Sequence, residues 1–433
     1  MTESMYCISP DETLIGEAKA DTPVTSLMEQ VLDRENLKRA LQQVIRNKGA
    51  PGFDGMSVEK LPGYLKQHWP TLKDQLRCGT YQPLPVRRVT IPKPNGGERH
   101  LGVPTVVDRF IQQALLQVLQ RQWDSTFSES SFGFRPKRSA HQAIRQAQTY
   151  VRDGYRWTVD MDLEKFFDNV NHDVLMQRVK QRVVDRHILI LINRILKSEI
   201  YIEGKDEPSL KGTPQGCPLS PLLANLLLDE LDKTLETRGH CFVRYADDCN
   251  IYVKSKRAGQ RVFENIKRYL GSRLKLTINE AKSSVARPWY VSFLGFTMSS
   301  KDKRLKVSDK ALSALKEKVR RISNKTRGRT IYTITTELRK YIQGWKAYFQ
   351  LAEVISPLRD IDKWIRRRLR CYLWKQWSRS GYRQLRKLGV ERQLAWNTSK
   401  SAHGPWRLSK SPALYYALPN KYFVELGLPS VYQ

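Results

Sequence analysis

Residues 241–254 read CFVRYADDCNIYVK. Apolar runs flank a short polar centre, which predicts two strands around a tight turn holding Asp247 and Asp248. Adjacent carboxylates repel each other there and gain nothing from packing. Two explanations stay open at this point: an ordinary Asp-rich hairpin turn, or oxygen ligands for a hard divalent cation. Upstream, residues 156–163 read RWTVDMDL. A strand has period two, so Asp160 and Asp162 share one face. Apolar residues surround that pair, including Phe166 and Phe167, which weakens plain solvent-facing alternation as its cause. Acids on two such strands imply a metal cluster, and paired metals stabilise the attacking and leaving oxygens of phosphoryl transfer.

Around these strands the pattern is helical. Residues 106–123 (VVDRFIQQALLQVLQRQW) and 219–236 (LSPLLANLLLDELDKTLE) predict apolar helices. Residues 188–202 predict an amphipathic helix running into a strand. Helical periods also mark 25–47 (Leu27, Val31, Leu37, Leu41, Val44), 139–152 and 257–273. A strand near 274–278 and a strand pair around WYVSFLGFTM (289–298) are expected to follow. PVRRVTIPKP (85–94) and ERHLGVP (98–104) predict strands joined by an NGG turn, with Pro92 and Pro94 placing the first strand's end at an edge. Helices and antiparallel strands intermix, so the fold class is α+β.

Composition bounds the partners. The 433 residues are 40% hydrophobic and 27% charged, which is globular usage and excludes collagen, full disorder and a disulfide scaffold. Lys and Arg number 75 against 43 Asp and Glu, a net +32. A protein this basic calls for a polyanion, with nucleic acid ahead of an anionic membrane surface. Residues 301–433 hold 31 Lys or Arg and 9 Asp or Glu, a net +22, so under a third of the chain carries about two thirds of the excess. The six cysteines form no C-x-x-C pair, so a zinc site is not expected and a reducing compartment is. The polar, acidic N-terminus is no signal peptide, and no stretch approaches the roughly 18 apolar residues of a spanning helix. A soluble, cytoplasmic protein with no membrane partner is expected.

Nine segments in order resemble the reverse transcriptase/maturase encoded by bacterial group II introns. They are KGAPGFDG (48–55), RRVTIPKPNGGERHLGVPTVVDRFIQQAL (87–115), SFGFRPKRSAHQAI (131–144), VDMDLEKFFDNVNHDVL (159–175), GTPQGCPLSPLLANLLLDELD (212–232), RYADDCNIYV (244–253), INEAKSSV (278–285), FLGF (293–296) and GWKAYF (344–349). The resemblance implies a right-hand polymerase, with a disordered leader over 1–24, fingers and palm over 25–300, a basic helical thumb that is also the maturase domain over 301–399, and a small segment over 400–433. The implied activity is RNA-directed DNA synthesis, with assistance to splicing and to intron mobility by target-primed cDNA synthesis.

The same resemblance assigns roles to residues. Asp162, Asp247 and Asp248 match the catalytic triad that binds two Mg²⁺ ions, for which Mn²⁺ substitutes. Asp160 either assists them or only lies along the strand. Lys93 and Arg99 match the clamp on the dNTP triphosphate. Phe167 matches the bulky residue that excludes a 2′-hydroxyl, with core packing as its plainer role, and Gln215 matches a contact to the incoming nucleotide. Lys282 matches a general acid toward pyrophosphate. In DKWIRRRLRCYLWKQWSR (362–379), Ile365, Leu369, Leu373 and Trp377 form one stripe, leaving Arg366, Arg367, Arg370 and Lys375 as candidate RNA contacts. Expected partners are the group II intron RNA, an RNA template with DNA primer, a DNA target site and dNTPs. The chain carries no His and paired Cys residues of an HNH nuclease at its end, so priming from a nascent strand is expected. Two other functions fit the same residues: a splicing-only maturase, or a domesticated relative in DNA repair or phage defence. Oligomeric state is not written in the sequence.

Overall fold

The computed structural model describes residues 26–92, 98–202, 205–208, 211–324 and 328–432. The expected leader over 1–24 and Lys93 lie outside the described residues. The chain forms two compact units, Met1–Tyr150 with Tyr155–Ala286, and Arg287–Gln433 with Val151–Gly154. The division falls at 286–287 rather than at the composition shift near 300.

The first unit is built on two four-stranded sheets. One has the order β2-β1-β4-β5, from β1 (Val86–Pro92), β2 (Glu98–Val103), β4 (Ile200–Ile202) and β5 (Lys205–Glu207). Only Val86 and Arg87 of β1 pair with β4, so the Pro92 end has β2 alone as its partner, where a missing N–H costs no ladder bond. The other sheet has the order β6-β7-β3-β8, all antiparallel. Its strands are β3 (Trp157–Met161), β6 (Cys241–Tyr245), β7 (Asp248–Val253) and β8 (Ser284–Ala286). Val159, Phe242, Val243 and Ile251 of this sheet are all but fully buried.

Helices supply the rest of that core. The helix Val106–Trp123 opens on Thr105, whose hydroxyl oxygen accepts from Asp108 N at 3.1 Å. The apolar helix Ser220–Thr237 is buried along most of its length, as its all-round hydrophobicity requires. The helix expected over 25–47 is instead two, Leu27–Val31 and Arg34–Asn47. Asp33 ends the first by capping the second, accepting from Glu35 N and Asn36 N at 3.0 Å each. The helix Lys256–Tyr269 winds into a π-helical turn, Leu270–Leu274, and the strand expected over 274–278 forms only an isolated bridge, Leu163 with Ile278.

The second unit pairs β9 (Phe296–Met298) with β10 (Leu305–Val307), and the strand pair expected within 289–298 forms only an isolated bridge, Phe293 with Phe296. Helices Asp309–Ile322, Ile331–Phe349 and Ser356–Trp377 follow, with shorter helices to Glu425. Their core gathers Leu315, Ile334, Leu338, Ile342, Ile365, Leu369 and Phe423. No helix among the described residues is long and apolar enough to cross a membrane.

Candidate active site in the first unit

The turn between β6 and β7 holds Ala246 and Asp247, with Tyr245 and Asp248 paired across it. Ala246 takes φ +58°, the left-handed geometry that matches hairpin twist. On the neighbouring strand Asp160 lies opposite Asn250, two residues from Asp248, and Asp162 follows the end of β3. The sheet register therefore brings the four acids of the two motifs to one end of β3 and β7.

Their mutual fields are visible in their acidities. Burial first, then Asp248, then Asp162, pushes Asp160 up to about 7. Burial and the charges of Asp247 and Asp162 push Asp248 up to about 6, against the pull of Lys282. Asp247 is raised by burial and Asp162, while its backbone hydrogen bond, Arg99 and Lys282 oppose the rise. Lys282 Nζ lies 3.3 Å from Asp162 Oδ2. The loop bearing Lys282 is tied to Asp162, whose carbonyl accepts from Asn279 N at 2.8 Å and whose N–H donates to Ser283 Oγ at 3.0 Å.

Among the described residues, no three His, Cys, Asp or Glu side chains already converge on one metal position. The donor set nevertheless suits a hard divalent cation, because it is all carboxylate oxygen and its members disfavour one another's ionisation.

The flanking candidates are placed by backbone contacts. Phe167 is half-buried, its ring centroid 5.2 Å from that of Phe166 and 6.4 Å from that of Phe134. Its carbonyl accepts from Thr213 N at 2.7 Å, which fixes the 212–216 loop beside it. Buried His172 supports that loop through Nε2, which lies 2.7 Å from Gly212 O. Gln215 O accepts from Gly102 N at 2.8 Å, docking the loop on β2. Gly216 has φ +118°, and a Cβ there would meet Gly102 O at 2.7 Å. Arg99 is exposed on β2, and its charge reaches Asp247. Cys217 is buried, and burial lifts its thiol to about 12, so it stays protonated.

The sequence reading missed the groups that hold the Asp247 turn. Arg244 is 1% exposed, and its Nε donates to Asp232 Oδ1 at 2.7 Å. Its Nη1 donates to Asn225 Oδ1 at 3.0 Å and to Ala246 O at 2.9 Å, and its Nη2 donates to Ser131 Oγ at 2.8 Å. Asn225 Nδ2 in turn donates to Gly133 O at 2.9 Å. Gly133 lies so close to the turn that a Cβ would sit 2.2 Å from Ala246 N. The signal was polar residues inside apolar elements, Asn225 and Asp232 in one helix and Arg244 in one strand.

The basic helix of the second unit corrects one expectation. Arg370 is 1% exposed, donating to Leu418 O at 2.8 Å and to Asn420 Oδ1 at 3.0 Å, with Tyr415 stacked 4.1 Å away. It is therefore not a surface phosphate contact. Arg367 lies 3.9 Å over the Trp406 ring and donates to Trp406 O, and Arg366 pairs with Asp362 at 3.2 Å. Lys375 is exposed. Arg367 and Arg370 thus fasten C-terminal residues to the helix, while Arg366 pairs within the helix itself.

Comparison with known proteins identifies two domains in the chain. Residues 91–298 match the reverse transcriptase (RNA-dependent DNA polymerase) family model, and residues 312–389 match the group II intron maturase-specific domain. The chain is 33% identical over 302 residues to Protein YkfC of Escherichia coli, covering 60% of this chain and 79% of that protein. It is 36% identical over 221 residues to the group II intron-encoded protein LtrA of Lactococcus lactis, covering 50% of this chain and 36% of LtrA. It is 29% identical over 198 residues to nuclear intron maturase 1, mitochondrial, of Arabidopsis thaliana, covering 34% of this chain and 27% of that protein. A reverse transcriptase domain followed by a maturase-specific domain places the chain in the family of group II intron reverse transcriptase/maturases.

Proposed function

We propose that the first unit is the fingers and palm of an active RNA-directed DNA polymerase, and that the second is the thumb and maturase domain that grips intron RNA. The observation that carries the reading is the meeting of Asp162, Asp247 and Asp248 at one end of β3 and β7, with Lys282 beside them. These three acids would hold two Mg²⁺ ions. When bound, the ions neutralise charge on the attacking and leaving oxygens of an in-line displacement.

The chain's own groups do the positioning. Arg99, with Lys93, binds the triphosphate, and Gln215 contacts the nucleotide. Phe167 closes the space that a 2′-hydroxyl would need. The primer 3′-hydroxyl loses its proton to solvent as its oxygen bonds to the α-phosphorus, the bond from that phosphorus to the bridging oxygen breaks, and pyrophosphate leaves with a proton from Lys282, which solvent then restores. Asp160, its pKa pushed up to about 7 by its burial and by Asp248 and Asp162, is a neighbour of the site rather than a fourth full charge in it. The template is RNA and the substrates are dNTPs, with the intron RNA and a DNA target site as the larger partners.

The test is primer extension on an RNA template with Mg²⁺. Asp247→Ala should abolish product by removing a ligand, yet leave RNA affinity nearly intact. Loss of RNA binding in the same variant would break the division between palm chemistry and basic grip. No extension by the unmodified chain, with splicing support retained, would make it a splicing-only maturase.

A further inference from the structure

Where the chain runs on from Asp162, the first unit has a cavity of about 430 Å³, lined by Glu164, Lys165, Asn169, Asn171, Lys211, Lys275 and Thr277. We propose that this cavity is a binding pocket for inorganic pyrophosphate, which rests on the polymerase reading above and adds to it the place where the leaving group is received.

Charge is the first argument. Three lysines reach one cavity from three separate chain segments, against the single acid Glu164. None of the three ammonium groups has an ion-pair or hydrogen-bond partner among the described residues. Three exposed lysines lining one cavity give it a positive field, which attracts a multiply charged anion. The Asn171 carbonyl oxygen is already taken, accepting from Val174 N at 3.0 Å, so its amide hydrogens remain to face an acceptor.

Backbone conformation is the second. Lys165 has φ +42° and ψ +50°, and Lys275 has φ +55° and ψ +34°. Glycine or asparagine adopts this left-handed region at less cost than lysine. Two of the three lysines thus stand where the backbone alone favours another residue.

Position is the third. Glu164 and Lys165 continue the turn that carries Asp162. On the facing segment, Thr277 O accepts from Glu164 N at 2.9 Å, Asn279 N donates to Asp162 O, and Lys282 lies against Asp162. The two chain segments that flank the catalytic acid therefore run on to become two walls of the cavity. Lys211 completes it one residue before Gly212, whose N–H donates to Val170 O at 2.8 Å. An anion released beside Asp162 and Lys282 leaves next to the chain segments that bear Lys165 and Lys275. The cations also converge on one cavity rather than lying along a track, which suits a small polyanion better than a duplex backbone.

Lysine acetylation of the full chain tests the pocket directly. Inorganic pyrophosphate should shield Lys165, Lys211 and Lys275, whereas a primer–template duplex should not. Kinetics supply the second arm, with Lys165→Asn, Lys211→Gln and Lys275→Asn combined, since Asn tolerates the left-handed backbone and the fold is kept. In primer extension, the ratio of the pyrophosphate inhibition constant to the dNTP KM should rise about tenfold. Absence of shielding, shielding by the duplex alone, or an unchanged ratio would each overturn the proposal. Should the unmodified chain extend no primer while pyrophosphate still shields the three lysines, the polymerase reading fails and the anion pocket stands.

Discussion

Arg244 shows what a single residue adds beyond its motif. It lies beside the Asp247–Asp248 pair in sequence, yet its guanidinium points inward, against Asp232, Asn225, Ser131 and the carbonyl of Ala246. Taking one member of such a buried pair away leaves the other charge unpaired, at a cost of about 3–5 kcal/mol. Arg244→Met should lower unfolding free energy by that amount in chemical denaturation. Replacing Asp232 by Leu as well should recover much of the loss, because an apolar pair needs no counter-charge. A single-variant loss below about 1 kcal/mol would show that the pair is dispensable. The acids of the site were legible because their type and spacing are unusual in apolar strands. The Arg244 network was not, since its members come from residues 131, 225, 232 and 244, and only the fold brings them together.

Whole elements were legible where one apolar period ran unbroken, as in Val106–Trp123 and Ser220–Thr237. They were misread where burial alternates without a ladder. Leu274, Leu276 and Ile278 are buried while Lys275 and Thr277 are exposed, which imitates a strand. The segment instead makes two backbone bonds beside the turn after β3, from Glu164 N to Thr277 O and from Asn279 N to Asp162 O, too few for a sheet strand. The break in the first helix has a similar origin, because period ignores capping. Asp185 is the clearest such cap, serving two helices at once. It accepts from Met28 N at 2.9 Å and Ser26 Oγ at 2.7 Å at the start of Leu27–Val31, and from His187 N at 3.0 Å at the start of Arg186–Leu196. Burial alone would raise its pKa, but these bonds outweigh burial and hold it below the ordinary 3.8. A carboxyl depressed on folding stabilises fully above its unfolded pKa, and that contribution is lost as pH falls through the folded value. Asp185→Ala should therefore cost about 1–2 kcal/mol at neutral pH. The gap from the unmodified chain should close as denaturation is repeated below pH 3.8, and a gap constant down to the lowest pH would rule out the ionised cap.

Across the whole molecule, net charge gives the partner class but not the contact residues. The excess of +22 after residue 300 is real, yet counting it cannot separate cations that face water from cations that hold the fold together. Arg370 belongs to the second kind, inside the unit against Leu418, Asn420 and Tyr415, and Lys375 and Arg379 to the first. The difference is measurable through salt. Withdrawing one cation from a phosphate should reduce the slope of log affinity against log salt by about one. For the full chain with intron RNA, Lys375→Gln with Arg379→Gln should flatten the slope by about two and leave thermal unfolding unchanged. Arg370→Ala should do the reverse: it removes buried charged hydrogen bonds, worth about 1.5–3 kcal/mol each, so unfolding moves to lower temperature while the slope is kept. If Arg370→Ala flattened the slope at unchanged stability, its guanidinium would be reaching RNA despite its burial, and the packing of residues 405–432 on the Ser356–Trp377 helix would have to open for RNA to bind.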